Sequence, residues 1–377
     1  MAVAGLIFSN IHNAEIPELT SVRTMASLPF GCRYRLIDFP LSNMVNSGIT
    51  KVGIIAHNNY QSLMDHIGTG KDWDLARRSG GIKILPPFIT AYDNGNANKL
   101  YRNRLEALMG VTHFISKCNE EYIVLSDCDL ICNIDLNEVL EDHKAKKADM
   151  TIVTRTLPAN VMFASEELAK VTVDEDGMAT EIINYRGGPE EAEVSTNILI
   201  FNRLFLLNII NDAIAHGYKK FYQDMISSRL GTARVNCYHY EGVCLQVNSL
   251  ASYFACSMQL LNPEIRNALF NVENRAVYTK LRNSAPTVYT GDSKVVNSYV
   301  ADGCVIEGTV ENSIIFRGVR IGKGTVVKNS ILLQDTFTGS NVSLNCVITD
   351  KNVAIRDNRI LSGHESMPFF ISKGAMV

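Results

Sequence analysis

The sequence predicts an α/β domain followed by a left-handed parallel β-helix. Over the N-terminal two thirds, short apolar segments alternate with helix-like segments, which is typical of a mainly parallel sheet covered by helices. Towards the C-terminus, branched apolar residues recur six positions apart, which fits neither an α-helix nor an ordinary strand. We therefore divide the chain into residues 1–265, a linker over 266–292 and a β-helix over 293–377.

The six-residue repeat runs through residues 293–358. Gly, Asn, Asp and Lys fill the positions between its apolar members. A triangular coil turns three corners, so stacked coils collect equivalent side chains in one interior column. A β-sandwich of short strands is the alternative. The members are Val300, Ile306, Ile315, Ile321, Val327, Leu333, Val342 and Ile348.

The N-terminal region supplies the elements of the predicted α/β domain. Asp135 is expected to cap a helix, because its side chain can accept a hydrogen bond from the first helical turn. Ligands bind beyond the carboxyl ends of parallel strands, so the loops after Phe8 and Leu125 should face one cleft. Strands are predicted at 2–8, 51–56, 122–125, 150–155, 170–173 and 195–201, and helices at 60–67, 135–147 and 205–216.

Composition excludes several classes of protein. A net charge of -3 without long runs of like charge argues against nucleic-acid or anionic-membrane partners. The apolar run Val3–Phe8 is too short for a secretory signal, and no stretch of the sequence is long and apolar enough for a transmembrane helix. Nine cysteines without C-x-x-C pairing indicate reduced, mostly buried thiols. We therefore expect a cytoplasmic protein.

Several sequence blocks resemble one family from end to end, in the right order. Together they resemble the bacterial ADP-glucose pyrophosphorylases, which make ADP-glucose from ATP and glucose 1-phosphate. The resemblance implies a Rossmann-like nucleotidyltransferase domain of mixed sheet with helices on both faces, a left-handed β-helix, a tetramer and a role in glycogen synthesis. The blocks are RYRLIDFPLSN at 33–43, GTGKDWDL at 68–75, HYEGVCLQVNSLASYFACSMQLL at 239–261, DGCVIEG at 302–308 and FRGVRIGKG at 316–324.

The phosphate-binding loop departs from the family pattern. That pattern is G-G-x-G-T-R-L, in which glycines let the backbone approach the phosphates and an arginine neutralises them. We match it to AGLIFSNIHNAEI at 4–16, where Gly5 survives and the later glycines and the arginine are replaced. Leu6, Ile7 and Phe8 would then occupy phosphate space. The alternative interpretation is that another segment of the chain binds the phosphates of the nucleotide.

Other polar blocks of the cleft are also altered. The family's R-A-K-P reads RTMA, so Met25 replaces a phosphate-facing lysine, and Gln223 replaces the lysine of F-G-K-D. Arg186 lies where the sugar-contacting E-K-P segment has lysine. The nucleotide block G-T-A-D-A reads GNANK. The resemblance thus leaves these residues as a nucleotide and phosphate cleft: Gly5, Arg23, Arg33, Arg35, Gly95 and Asn98.

The metal-binding carboxylates are only partly retained. Two aspartates normally hold Mg²⁺ in this family, since a hard cation prefers carboxylate oxygens. In SDCDLICNID at 126–135, Asp129 is our candidate, although Asp127 or Cys128 fits an alignment from the left. Asp224 in FYQD is the second candidate, whereas Gln246 lies where E-G-Y-W-x-D-V-G-T has aspartate. Mg²⁺ binding is therefore doubtful.

These changes favour a subunit of the GlgD type, with little or no catalytic activity, that assembles with a catalytic homologue into a hetero-tetramer. Two alternatives stay open. The chain could be an active nucleotidyltransferase with an atypical phosphate loop, supported by Asp129 and Asp224 with the retained Arg33, Arg35 and Asp38. It could instead sense a sugar phosphate or inorganic phosphate as an effector, through the basic residues Arg33, Arg35, Arg77 and Arg78.

Overall fold

The computed structural model describes residues 3–86, 101, 103–159 and 168–377. The predicted cleft positions Gly95 and Asn98 lie outside the described residues. Among the helices of the described part, none is long and apolar enough to cross a membrane.

The N-terminal part is an α/β domain. Its strands are β1 Val3–Phe8, β2 Pro29–Phe30, β3 Tyr34–Arg35, β4 Lys51–Ile55, β5 Gly81–Leu85, β6 Tyr122–Asp127, β7 Leu130–Ile131, β8 Met150–Leu157, β9 Leu168–Val173, β10 Ala179–Tyr185, β11 Ala192–Asn202, β12 Val235–His239 and β13 Leu245–Gln246. Its helices are α1 Pro17–Thr20, α2 Asp38–Asn46, α3 Gln61–Ile67, α4 Arg104–Gly110, α5 Thr112–Ser116, α6 Leu136–Ala145, α7 Arg203–His216, α8 Leu250–Gln259 and α9 Pro263–Phe270.

The main sheet is mixed, as predicted. In the described residues it runs in the order β10-β9-β11-β6-β1-β4-β5, and β8 pairs with both β11 and β12. Strands β6, β1, β4 and β5 are parallel, whereas β11 runs antiparallel to β6. All six residues of β1 are buried, because this strand has neighbours on both edges. The carboxyl ends of β1 and β6 therefore meet, with Phe8 beside Asp127.

The predicted helices and strands are confirmed, with small shifts at their ends. Helix α6 begins at Leu136, and the Asp135 side chain accepts a hydrogen bond from the Asn137 amide at 2.8 Å, as a helix cap does. Strand β6 extends two residues beyond the predicted Leu125. Asp127 is thus the last residue of the strand.

The C-terminal part consists of parallel strands stacked in three five-stranded sheets, as in the left-handed β-helix predicted from the repeat. Asn312 and Asn329 have φ of 47° and 44°, in the left-handed region that asparagine tolerates at a tight corner. The strands are Val288–Tyr289, Lys294–Val296, Tyr299–Val300, Val305–Ile306, Thr309–Glu311, Ile314–Ile315, Arg320–Ile321, Val326–Lys328, Ile331–Leu332, Phe337–Thr338, Ser343–Asn345, Val347–Thr349, Ala354–Ile355, Ile360–Ser362 and Phe369–Ile371.

The apolar residues of the repeat are buried in two different cores. Ile306, Ile321 and Val327 are buried inside the coils, as predicted. Leu333 and Ile348 are buried instead in the core that the β-helix shares with the α/β domain. The prediction of one interior column was therefore wrong, because Leu333 and Ile348 lie in the shared core and Val327 lies on a different sheet from Ile306 and Ile321. A coil side whose outer face is covered by another domain is apolar on both faces, and the six-residue spacing does not distinguish the faces.

The two parts of the chain are held together by a shared apolar core. Ile314, Ile331 and Ile348 align along one sheet of the β-helix and are buried in the same cluster as Tyr253 and Leu269 of the α/β domain. The division of the chain at 265 and 293 stays our proposal. Helix α9 crosses the first of these positions, and the first β-helix strand begins before the second.

A buried ion pair also joins the two parts. The Nη2 atom of Arg23 donates to both carboxylate oxygens of Asp350, at 2.8 and 2.7 Å. Both side chains are only 2 % exposed. The attraction between buried charges is weakly screened. If either partner were removed, the other would remain as an uncompensated buried charge.

We expect Asp350→Asn to lower the free energy of unfolding by about 3 kcal/mol, since it leaves the Arg23 charge buried without its counter-ion. Urea unfolding of the full chain measures this. The exposed Glu365 of the same β-helix provides a matched charge change, and Glu365→Gln should stay within about 0.5 kcal/mol of the unchanged protein. Equal stability of the two variants would contradict a stabilising role for the pair.

Candidate functional site

The loop after β1 spans residues 9–16 and differs from our sequence alignment. Gly5, taken as a phosphate-loop glycine, lies inside β1, where an added Cβ would collide with the Met44 side chain. Leu6, Ile7 and Phe8 belong to the same buried strand. That interpretation was wrong, because a strand with buried neighbours on both faces accounts for the apolar run. In the loop itself, a short 3-10 turn at Asn13–Glu15 follows His12.

His12 connects the loop to the carboxyl end of β6. Its Nε2 atom lies 2.8 Å from Asp127 Oδ2 and 3.7 Å from Asp129 Oδ1. Its Nδ1 atom lies 2.8 Å from Glu15 Oε1. With a carboxylate at each ring nitrogen, the doubly protonated ring can donate in both directions. The position facing the strand end therefore holds an imidazole and a carboxylate, whereas the family pattern has glycines and arginine there.

Arg104, at the start of α4, supplies a cation to the same carboxylate. Its Nη2 atom donates to Asp127 Oδ2, the oxygen that His12 also contacts. The guanidinium lies 5.6 Å from the ring centroid of Phe8, 5.3 Å from that of Phe221 and 5.9 Å from that of Tyr222. Such cation–π contacts help to hold a buried arginine in one orientation.

Asp127 is ionised in this arrangement. Burial alone opposes ionisation, but the charge of Arg104 and the hydrogen bond from His12 outweigh it and hold the pKa of Asp127 below its usual range. The negative charge at the strand end is thus already compensated by the protein. Arg104 and His12 were not identified from the sequence, because their role depends on a contact between segments far apart in the chain.

Asp129 is engaged by a separate set of side chains. Gln246 Nε2 donates to Asp129 Oδ2 at 3.1 Å, and Arg155 Nη2 donates to Gln246 Oε1 at 2.7 Å. Strand β13 brings Gln246 to this point by pairing with β7, and the Val247 amide donates to the Asp129 carbonyl at 2.8 Å. An aspartate at 246 would face Asp129 with a like charge. The glutamine instead gives a neutral donor.

His12, Asp127 and Asp129 form a compact group of potential metal ligands. Their ligand atoms lie within 4.8 Å of one another, and all three residues are buried. Mg²⁺ requires near-octahedral oxygen ligands and usually keeps several waters. In this group one potential ligand is a nitrogen, and Asp127 already compensates Arg104. The side chains as arranged do not fit Mg²⁺.

Asp224, the second predicted metal ligand, is not part of this group. Its Oδ2 atom accepts hydrogen bonds from the Lys219 and Lys220 amides, both at 2.9 Å. These backbone hydrogen bonds lower the pKa of Asp224. The structure gives Asp224 a local role in the turn before the π-helix Phe221–Ile226.

The other predicted cleft residues are dispersed. Arg23 pairs with Asp350 of the β-helix rather than facing a nucleotide. Met25 is buried, and its amide donates to Asn13 Oδ1 at 2.8 Å, which fixes the loop instead of opening it. Arg186 is exposed just after β10, and Gln223 is half-buried in the π-helix. These residues do not converge on one cleft.

Arg33 and Arg35 line a different pocket, at the junction of the two parts. Arg35 is buried, and its Nη1 atom donates to the Ser62 carbonyl at 2.6 Å. No carboxylate is found among the described residues that line this pocket. Burial and the nearby charges of Arg35 and Arg23 lower the pKa of Lys351 to about 7. The cationic lining residues are Arg33, Arg35, Lys280, Arg282, Arg317 and Lys351.

The sequence identified only part of this basic pocket. Arg77 and Arg78, expected to accompany Arg33 and Arg35, are exposed and outside it, and Arg77 pairs with Asp74. Lys280 and Arg282 come from the segment we regarded as a linker. Arg317 and Lys351 come from the β-helix. A pocket formed between two domains leaves no contiguous motif.

Comparisons with known proteins agree with this architecture. Residues 16–239 match the nucleotidyl transferase family model, and residues 286–366 match that of the GlmU-like C-terminal hexapeptide domain. The fold and these matches thus define a domain of the nucleotidyl transferase family joined to a hexapeptide β-helix.

Similar proteins identify the family within this class. The glycogen biosynthesis protein GlgD of Bacillus subtilis is 32% identical over 98% of this chain and 95% of its own length. The glucose-1-phosphate adenylyltransferase of Thermosipho africanus is 33% identical over 86% of this chain and 78% of its own. That of Geobacillus stearothermophilus is 34% identical, with 86% and 82% covered. The chain belongs to this glycogen-biosynthesis family of glucose-1-phosphate adenylyltransferases and GlgD proteins.

We expect Arg104→Met to destabilise the protein by about 3–5 kcal/mol, because Asp127 then stays buried without the Arg104 guanidinium that balances its charge. Combining Arg104→Met with Asp127→Asn should recover most of that loss. Denaturant unfolding of the single and double variants measures the coupling. As a control, Arg77→Met removes an exposed arginine from an ion pair and should cost less than about 1 kcal/mol. Additive effects of the two cleft substitutions would contradict a direct charge pair.

Proposed function

We propose that this chain is a non-catalytic or weakly catalytic regulatory subunit of the GlgD type. It works in glycogen biosynthesis by assembling with a catalytic glucose-1-phosphate adenylyltransferase, which converts ATP and glucose 1-phosphate into ADP-glucose and diphosphate. The observation that carries the proposal is the buried contact of Asp127 with Arg104 and His12. It occupies the edge of the sheet at which the loops after β1 and β6 meet.

Nucleotidyl transfer depends on electrostatic stabilisation of the phosphates and the departing diphosphate. In this chain the loop after β1 presents His12 and Glu15 to the strand end, and Glu15 would repel a phosphate. Arg104 is committed to Asp127, and Gln246 to Asp129. Most polar groups of the strand end thus engage one another, with Asp127 Oδ1 buried and without a hydrogen-bond partner. The engagement of Arg104 and Gln246 supports the absence of efficient turnover.

The likeness to GlgD over nearly the full length of both chains supports the same proposal. We further propose a hetero-tetramer with the catalytic homologue, located in the cytoplasm and without nucleic-acid or membrane partners. Contacts made by this chain would bias the partner's active state through differential binding to its conformations. The nine cysteines are free, and all but Cys244 are buried, which is consistent with a reducing compartment.

The active-enzyme alternative rests on Asp129, Asp224 and the retained Arg33, Arg35 and Asp38. Asp38 is fully buried, and it accepts a hydrogen bond from the Arg35 amide at 3.0 Å and lies 2.6 Å from His66 Nε2. These contacts hold the start of α2. They account for the retention of Asp38 without a catalytic role.

We expect the purified chain alone to form ADP-glucose at least about a hundredfold more slowly than a catalytic homologue, since the described residues at the strand end do not fit Mg²⁺ and Glu15 would repel a phosphate. Initial rates of ADP-glucose formation, with and without the homologue, measure this. In the assembled complex, Asp224→Ala in this chain should leave the rate largely unchanged. Comparable turnover by the chain alone, abolished by Asp224→Ala, would establish the active-enzyme alternative.

A second candidate function is the sensing of a phosphorylated metabolite or inorganic phosphate. The specific observation in its favour is the basic pocket at the domain junction. Six cations converge on this pocket, and of these Arg317 pairs with Asp302, so a bound anion would relieve the repulsion that remains among them. Arginine forks suit phosphate oxygens especially well. This candidate is compatible with the regulatory role, because the pocket contacts both parts of the chain.

We expect inorganic phosphate and sugar phosphates to bind in this pocket, and Arg282→Gln to weaken binding about tenfold or more through loss of one charge-assisted contact. Isothermal titration calorimetry at two salt concentrations measures affinity and screening. Arg78→Gln, a change to an exposed arginine outside the pocket, should leave the affinity unaltered. Equal weakening by both substitutions would indicate a general effect of net charge and contradict the sensor candidate.

A further inference from the structure

Two cysteines face each other beside the strand-end cluster. Strands β7 and β13 pair antiparallel, with Leu245 opposite Ile131 and Gln246 opposite Leu130. One step further in the same register, Cys244 lies opposite Cys132. The side chains of directly opposed residues in an antiparallel pair share one face of the sheet and lie close together.

The hydrogen-bond pattern specifies which kind of opposed pair this is. The Val247 amide donates to the Asp129 carbonyl, so positions 247 and 129 belong to a hydrogen-bonded pair. Because the two kinds of pair alternate, Cys244 and Cys132 fall at a non-hydrogen-bonded pair, where the Cα atoms are closest. Separations of that kind lie within the range that a disulfide can bridge without backbone movement.

The two sulfur atoms are also chemically different. The hydrogen bond from the Cys132 thiol lowers the pKa of Cys244. Burial raises this pKa by a smaller amount, and the charge of Arg155 lowers it further. The same hydrogen bond, together with burial, raises the pKa of Cys132. Cys132 is 2 % exposed, whereas Cys244 is the one cysteine of the nine that is not fully buried. A partly exposed thiol of lowered pKa next to a buried thiol is the arrangement of an attacking and a resolving cysteine.

We propose that Cys132 and Cys244 form a reversible disulfide and so constitute an oxidation site of this protein, with a peroxide as the oxidant. The Cys244 thiolate attacks one peroxide oxygen, the O–O bond breaks, and the departing hydroxide takes a proton to leave as water. The resulting sulfenic acid is attacked by the Cys132 sulfur, whose proton leaves with the hydroxyl group as a second water. One peroxide is reduced to two waters and two thiols become one disulfide. A dithiol reverses the reaction by exchange.

The disulfide would join the two strands that carry the Asp129 contact. Asp129 lies just before β7, and Gln246 is in β13, two residues after Cys244. Arg155 donates both to Gln246 and, at 3.3 Å, to the Cys244 carbonyl. Oxidation would therefore fix β13 against β7 next to Asp129. It would also close the long chain segment between positions 132 and 244, which restricts the unfolded state.

The experiment uses the full chain, treated with hydrogen peroxide under native conditions, alkylated and digested without reduction. Mass spectrometry should find the peptides of Cys132 and Cys244 linked, with the link removed by dithiothreitol. The oxidised protein should melt roughly 5–10 °C higher than the reduced protein, because the bridge closes a long loop. Cys244→Ser should abolish both the link and the shift in melting temperature.

Cys237 provides the matched control, since it is a buried strand cysteine that has Ile152 as its neighbour in the parallel strand β8. Cys237→Ser should retain the linked peptides and the melting shift. The proposal is overturned if Cys132 and Cys244 both stay alkylatable after other cysteines have been oxidised. It is also overturned if Cys244 proceeds to sulfinic acid without forming a bridge to Cys132.

Discussion

A carboxylate buried at the end of a central strand needs a counter-charge. Asp127 is such a carboxylate, so the residues around it in the cleft must provide a positive charge. It is 2 % exposed, and the main sheet fixes its position between β1 and β11. A nucleotide-binding site would supply the charge with a cation that arrives with the ligand. Here Arg104 supplies it from within the protein, and His12 adds a hydrogen-bonding contact to the same oxygen. The loop after β1 and the start of α4 are consequently held to the strand end by the protein's own charges.

The junction with the β-helix has the opposite character. Its polar lining consists largely of cations drawn from three separate regions of the chain, of which Arg317 pairs with Asp302. Burial, followed by the nearby charges of Arg35 and Arg23, lowers the pKa of Lys351. Arg104 offsets the charge of Asp127 at the strand end, whereas the junction gathers several cations. On the sensor candidate, a bound anion would act through a difference in its affinity for the protein's conformations, because a ligand can shift an equilibrium in no other way.

The sequence predicted those features that depend on local pattern. Strands β1 and β4, helix α6 with its Asp135 cap, and the β-helix follow from apolar periodicity and turn residues. It misplaced Gly5 because one glycine in a short apolar run fits a strand as well as a phosphate loop. It missed Arg104 and Lys280 because isolated cations acquire a role only through distant partners. Leu333 was assigned to the wrong core because its spacing does not reveal which face a neighbouring domain covers.

Under the proposed regulatory role, a change of the strand-end chemistry would leave the architecture intact, for a physical reason. An ion pair or a glutamine donor can satisfy a buried aspartate as well as a metal can, so β6 and β13 need not move when the ligand is given up. The large apolar core that joins the β-helix to the α/β domain places no demand on the cleft. The core that joins the two parts of the chain and the polar groups of the strand end therefore draw on different residues. The catalytic groups can therefore be lost while the fold stays stable. A subunit that acts through its partner requires that condition.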